Sequence, residues 1–254
     1  MKNIAAALVF FTRLPFWRLK AFNVPAEYYK QVVNYWPVAG WLTAGVMAGV
    51  LWCTAQVLPL SIAVILAILS RVLITGALHE DGLADFFDGF GGGNTKERTL
   101  AIMKDSHIGT YGVISLIFYF LLQYSLLSQF SLEMTCLVIL AADPLCKLTA
   151  SLITLFLPYA RNEETSKAKV VYNKMSVKTG LIAVIFGLLP LILLLDLRFW
   201  PAIIFPIFAF TGLILLMKKK IQGYTGDCCG ALFLMCELSF YLGVVMIMTI
   251  KSGL

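Results

Sequence analysis

Apolar residues in this chain fall into blocks of roughly twenty, separated by short polar stretches. A helix rising about 1.5 Å per residue needs about that many to cross roughly 30 Å of hydrocarbon. Seven such blocks can be marked, at about 36–58, 61–78, 112–130, 134–157, 178–195, 200–217 and 230–250. The second is short, at eighteen residues, and carries Arg71. Connections between the first and second, third and fourth, and fifth and sixth blocks are only a few residues long, which predicts helical hairpins. The run Ile4 to Phe11 is too short to span and passes into Thr12, Arg13, Leu14 and Pro15 without a small-residue cleavage site, so the N-terminus reads as mature. Residues 1–35 are expected to form an interfacial or re-entrant segment. The expected fold class is therefore an all-α integral membrane protein, one polytopic domain over 1–254 with about seven transmembrane helices.

Composition strengthens this picture. The chain is 60% apolar and 13% charged, against about a quarter charged in soluble domains, so the lipid bilayer is its expected surrounding. A net charge of +6 does not signal nucleic acid, because Lys and Arg sit in short clusters between apolar blocks. Sixteen of the twenty lie in the N-terminal segment, 79–111, 158–178 and 218–229, which seven spans place on one side. The positive-inside rule makes that side cytoplasmic, with the N-terminus inside and the C-terminus outside. Four of the six cysteines lie inside apolar blocks, and all six read as structural.

The strongest local signal is the segment 79–111, expected to be a cytoplasmic loop. It holds six of the fourteen acids and both histidines. Asp81, Asp85 and Asp88 are spaced i, i+4, i+7, so a helix here would line their carboxylates along one face. Three like charges on one stripe repel unless a cation sits among them, and hard oxygen ligands suit Mg²⁺ or Mn²⁺. A solvated turn-rich loop is the plainer reading. Against it, Leu83, Ala84, Phe86 and Phe87 interleave with the acids at helical period. Gly82 and Gly89 allow backbone or substrate to approach closely. His79 and His107 read more readily as hydrogen-bonding residues than as metal ligands.

Four stretches carry a resemblance: FFTRLP at 10–15, HEDGLADFFDG at 79–89, ERTLAIMKDSHIGTYG at 97–112 and YTGDCCGA at 224–231. With these the chain resembles the cobalamin synthase family, the adenosylcobinamide-GDP ribazoletransferases. The resemblance implies a multi-pass protein of the bacterial inner membrane. It also implies Mg²⁺-dependent transfer of adenosylcobinamide phosphate from its GDP-activated form to a hydroxyl of α-ribazole or α-ribazole 5′-phosphate, with release of GMP. The chain departs from the family pattern at His107, where Arg is common, and at Asp143, Pro144 and Lys147, where a basic residue is common near the end of the fourth span.

In attack on a diphosphate the protein mainly positions reactants and neutralises charge. On that chemistry Asp81, Asp85 and Asp88 would hold the metal. Asp105 would be a fourth ligand or the base that takes the acceptor proton, and Arg98 and Lys104 would contact diphosphate oxygens. His79, Glu80, His107 and Asp227 are assigned to substrate binding, Asp227 alternatively to a second metal. Glu237, deep in a span, is either a hydrogen-bonding residue of the bundle or part of the site, and Asp143 with Lys147 is expected to be an intrahelical ion pair. A homo-oligomer is compatible with the sequence.

Two other functions are weighed. A transporter should show related halves with broken helices and acids at the midplane, whereas no internal repeat is evident and the acids cluster at one face. A CDP-alcohol phosphotransferase acting on lipids would keep the metal and change the acceptor. It would call for Ala-Arg after the second Asp-Gly, where Phe90 and Gly91 stand.

Overall fold

A computed structural model of the chain describes residues 1–161, 170–194 and 196–251. Lys167, Lys169 and Leu195, which entered the topology argument, lie outside the described residues. The main helices are α1 (Lys2–Phe11), α2 (Trp36–Ala55), α3 (Leu60–Thr75), α4 (Leu78–Gly92), α5 (Lys96–Lys104), α6 (Thr110–Leu127), α7 (Leu132–Ser151), α8 (Ile153–Phe156), α9 (Val177–Leu188), α10 (Ile204–Lys220) and α11 (Gly226–Lys251). Several 3-10 segments join them, and no strand occurs among the described residues.

Each block marked in the sequence is largely helical over its described residues. Among the described residues five helices are long and apolar enough to cross a membrane: Ala26–Ala55, Thr110–Leu127, Leu132–Phe156, Leu197–Lys220 and Gly226–Ile250. The block at 178–195 corresponds to the shorter apolar helix Val177–Leu193. The block at 61–78 corresponds to α3, which together with α4 forms a pair bent by 89°. α7 and α11 are the buried central helices, while α6 and α10 are mostly open on the outside. Ile117, Phe118 and Leu121 on α6 and Phe208 and Leu215 on α10 are exposed apolar side chains. In water they would be a liability; in lipid they are the expected surface.

The bend between α3 and α4 is the feature that builds the site. Gly76 takes φ +65°, and Ala77 follows with φ +56°. The Ala77 N–H donates to the Val72 carbonyl at 2.9 Å and the Gly76 N–H to Leu73 at 3.2 Å, closing α3 with a left-handed cap. The chain then restarts as a helix nearly at right angles. The segment expected as a loop is therefore largely helical, because two consecutive left-handed residues redirect the chain without ending its helical character. On α4 the i, i+4, i+7 spacing of Asp81, Asp85 and Asp88 is real helical spacing. α4 packs against the start of α11, where a Cβ on Gly82 would lie 3.0 Å from the Asp227 carbonyl oxygen. Only a residue without a side chain permits that approach.

The bundle interior carries two ion pairs. Arg71 on α3 pairs with Glu237 on α11 and donates to the Tyr119 hydroxyl of α6 at 2.5 Å. Lys147 pairs with Asp143 one turn away at 2.5 Å, as their spacing predicts, and Thr43 of α2 bridges the two at 2.6 and 2.9 Å. Both cations lie over the Phe233 ring, at 5.7 and 4.8 Å. Every charged group in these pairs is buried. Each would cost several kcal/mol alone in a span, so together they lock α2, α3, α6, α7 and α11 into one arrangement.

Candidate active site

The predicted site residues divide between two cavities. The first, of about 360 Å³, opens where α4 meets the start of α11. Asp81, His79 and Asp227 line it, together with the end of α1 and residues near position 160. Asp81 is exposed, whereas His79 is buried and its Nε2 has no hydrogen-bond partner. Asp227 begins α11, where the helix N-terminus favours an anion, and the Thr225 hydroxyl donates to it at 3.3 Å.

The second cavity, of about 500 Å³, is lined by Asp88, Arg98, Asp105 and His107 together with Gly109 and Tyr111. Here Asp105 Oδ1 lies 2.6 Å from His107 Nδ1, and the His107 backbone N–H donates to the same oxygen at 3.0 Å. These hydrogen bonds hold the Asp105 carboxyl below its ordinary range, the side-chain bond contributing most. Both side chains are largely exposed.

Asp88 does something the sequence did not reveal. Its carboxylate is buried, Oδ2 accepting from the Gly109 N–H at 2.7 Å and Oδ1 from the Gly112 N–H at 2.8 Å. It thus caps α6 with a charge-assisted pair of bonds and ties that helix to α4. The two glycines of the HIGTYG stretch leave room for it: a Cβ on either would collide with the carboxylate. Asp85, one turn beyond Asp81, is half-buried and lines neither cavity. Glu80 is buried, lines neither, and has no hydrogen-bond partner on either oxygen. Lys104 is exposed at the end of α5 and also lines neither. Glu237 belongs to the ion-pair core, which leaves the hydrogen-bonding reading as its role.

Among the described residues no three His, Cys, Asp or Glu side chains already converge on one point. A preformed three-carboxylate cage is therefore absent there. That still suits Mg²⁺, which commonly takes one or two carboxylates and fills its shell with water and substrate phosphate. Asp81 and Asp227, from two helices on one cavity, supply the right donors.

Several lining residues were not singled out in the sequence. Arg13, Phe10 and Phe11 at the end of α1 face the first cavity, as do Trp36, Tyr159 and Arg161. The Arg13 backbone N–H donates to the Ile74 carbonyl at 2.6 Å, fastening this segment to the end of α3 beside the bend. Tyr159 and Arg161 are brought in by a short bridge to Tyr224, with the Ala160 N–H donating to the Tyr224 carbonyl at 2.8 Å. The available signal was FFTRLP, which stood out as a motif without a chemical role.

Comparison with known proteins identifies the family of the chain. Residues 3–245 match the family model described as Cobalamin-5-phosphate synthase. Proteins named adenosylcobinamide-GDP ribazoletransferase from Shewanella sp. (strain W3-18-1) and Shewanella putrefaciens (strain CN-32 / ATCC BAA-453) are each 36% identical over 244 residues, covering 95% of this chain and 92% of theirs. The protein of that name from Shewanella oneidensis is 33% identical over the same shares. No solved structure matches.

Proposed function

Because the chain belongs to the Cobalamin-5-phosphate synthase family, we propose that it is a Mg²⁺-dependent phosphotransferase joining adenosylcobinamide-GDP to α-ribazole or α-ribazole 5′-phosphate. It is a membrane enzyme of cobalamin biosynthesis, and the products in this reading are adenosylcobalamin, or its 5′-phosphate, and GMP. The observation that carries the proposal is the meeting of Asp81 and Asp227, from α4 and α11, on one cavity that also holds Arg13 and Arg161. Carboxylates and guanidinium groups together suit a diphosphate and the cation that accompanies it.

In the reaction the acceptor hydroxyl oxygen forms a bond to the corrinoid-side phosphorus. The bond from that phosphorus to the bridging oxygen breaks, and GMP departs with the electron pair. Asp81 and Asp227 would hold Mg²⁺, and Asp85, one turn along α4 and outside the cavity lining, is a neighbouring carboxylate that adds negative charge beside them; Mn²⁺ has the same preferences. When bound, the ion supplies charge neutralisation on phosphoryl oxygens. Arg13 and Arg161 orient the diphosphate. Asp105, on the second cavity, is the candidate acceptor of the hydroxyl proton, and Arg98 beside it and Lys104 at the end of α5 are further cations that raise the positive potential near the site. His79, Glu80 and His107 remain candidates for substrate contact. Asp88 serves by holding α6 against α4, which keeps the two cavities in register. The asymmetry of basic residues supports a bacterial inner-membrane location with the N-terminus and the site cytoplasmic, in a single polytopic domain.

The test is release of GMP by purified protein in detergent, supplied with adenosylcobinamide-GDP, α-ribazole and Mg²⁺. Release is expected to stop on chelation and return with Mg²⁺. Asp81→Asn, which keeps volume and loses charge, is expected to lower the rate by roughly 10² to 10³, the scale for one electrostatic contact to the transition state. Undiminished release by Asp81→Asn at saturating Mg²⁺ would overturn the assignment.

A further inference from the structure

The first cavity has a wall that the phosphotransferase chemistry leaves unused. Beside Asp81 and Asp227 the lining includes Phe10, Trp36, Tyr159 and Tyr172, and a Cβ on Gly226 would lie 3.7 Å from the Tyr172 hydroxyl. Tyr172 meets Phe10 and Tyr159 edge to face, at centroid separations of 6.4 and 5.7 Å. Trp36 is held flat against Phe11 at 4.9 Å. Resting on the phosphotransferase reading, we propose that this wall is a nucleotide subsite. The flat bicyclic base lies among these four aromatic side chains, and the phosphate is held by Arg13 and Arg161.

Three observations support it. First, size: a cavity of about 360 Å³ is at the small end of ligand pockets, roughly 300 to 1,000 Å³. It suits a base with its sugar and is too small for a corrin macrocycle, which stays outside the mouth. Second, Trp36 and His79, both lining this cavity, each carry a buried ring nitrogen with no partner, Nε1–H and Nε2 respectively. An unsatisfied buried polar atom costs about 1–3 kcal/mol, and ring nitrogens and sugar hydroxyls are the kind of groups that relieve it. Third, the Arg13 guanidinium is exposed and makes no hydrogen bond or ion pair among the described residues, although its backbone is fixed at Ile74. Arg161 spends one donor on the Leu100 carbonyl at 2.8 Å and keeps the rest. An aromatic belt at a membrane interface is the competing explanation. A belt faces lipid and headgroups, whereas these rings converge on one cavity beside two carboxylates.

Two nucleotide units take part in the proposed reaction, the GMP that leaves and the α-ribazole 5′-phosphate that accepts, and both present a bicyclic base and a phosphate. The experiment separates them. Protein in detergent is titrated calorimetrically, without metal, with GMP, with α-ribazole 5′-phosphate, and with guanosine and α-ribazole. At least one nucleotide is expected to bind, and the one that does names the occupant. Arg13→Gln is expected to weaken that nucleotide roughly tenfold or more, the scale of a lost charge-assisted bond, while leaving its nucleoside within about twofold. Phe10→Leu, which keeps apolar volume and loses the ring face, is expected to weaken nucleotide and nucleoside alike by roughly fivefold or more. Failure of both nucleotides to bind, or wild-type affinity in both variants at wild-type melting temperature, would overturn the subsite. Normal GMP release with either of those results removes the subsite alone, and normal nucleotide binding without GMP release removes the phosphotransferase reading alone.

Discussion

Two carboxylates on α11 show how differently this molecule treats charge. Asp227 and Glu237 are ten residues apart, about 15 Å along a helix. Glu237 is buried among Arg71, Tyr119 and Gln123, all reaching it from neighbouring helices. Asp227 stands at the helix start, on a cavity shared with Asp81, two arginines and an aromatic wall. In the core the protein pairs charge with charge across helices, and the result is rigidity. At the start of α11 the carboxylate borders a cavity that a ligand can enter, and the result is a candidate site. The difference also bears on transport. A pathway would put exchangeable charges at mid-depth, whereas Arg71, Glu237, Asp143 and Lys147, the charges inside the spans among the described residues, are engaged in pairs.

The sharpest way to break the contrast is to unpair the core. Arg71→Met leaves Glu237 buried without its cation, and removing one partner of a buried pair costs about 3–5 kcal/mol. The variant is expected to melt far below the wild type in detergent or to fail to accumulate. Arg71→Met with Glu237→Gln removes both charges and is expected to recover a large part of the loss. Thermal melting of the two variants decides the matter, and a single variant as stable as the wild type would mean that the core is not held by this pair.

Between the extremes lies Asp88, which caps α6 while lining a cavity. Asp88→Asn keeps one acceptor oxygen and loses the charge. It is expected to destabilise by about 1–3 kcal/mol through weakened bonds to Gly109 and Gly112, with a fall in GMP release that follows the loss of folded protein. A variant that is fully stable and inactive would place Asp88 with Asp81 as a group acting on the reactants.

How much of this was legible follows from what each feature depends on. Block length alone announced the five long spans, because crossing a bilayer is a one-dimensional requirement, while the blocks at 61–78 and 178–195 form shorter helices. The Asp143–Lys147 pair was equally readable, both partners being on one helix. The right-angle bend was not, because Ala77 in the left-handed region is unfavourable in isolation and is tolerated only by its surroundings. Arg71 with Glu237 and Asp88 with Gly109 join positions 166 and 21 residues apart, and no local pattern encodes such a pairing. The acids of 79–111 were found as a cluster by composition, yet the fold distributes them. Asp81 goes to one cavity, Asp88 to a helix cap and Glu80 to the interior. The aromatic wall escaped notice because α1, α2 and residues 159–172 meet only in three dimensions.

The smallest effect expected concerns Asp105, whose carboxyl is held low by its hydrogen bonds from His107. The hydrogen bond from His107 favours the charged carboxylate and so lowers its pKa from the ordinary value. As a base Asp105 is therefore ready, being ionised throughout the neutral range, and weak, since Brønsted behaviour rewards a base whose pKa is nearer the working pH. His107→Gln removes the largest contributor and leaves the backbone N–H donor at position 107 in place. The pKa is expected to rise part of the way toward the usual carboxylate value of about 3.9. Because the side chain is exposed, no change in melting temperature is expected. Carbon-13 NMR of the Asp105 carboxyl in micelles would follow the shift directly. GMP release measured from pH 5 to 8 should keep the same profile in the variant, since Asp105 is ionised over that whole window either way. If release is limited by proton removal, its rate should rise slightly with the stronger base. An Asp105 titration unmoved by His107→Gln would show that the pair does not tune the carboxylate. A rate that fell, with the titration shifted upward as expected, would assign His107 to substrate contact and not to the adjustment of its neighbour.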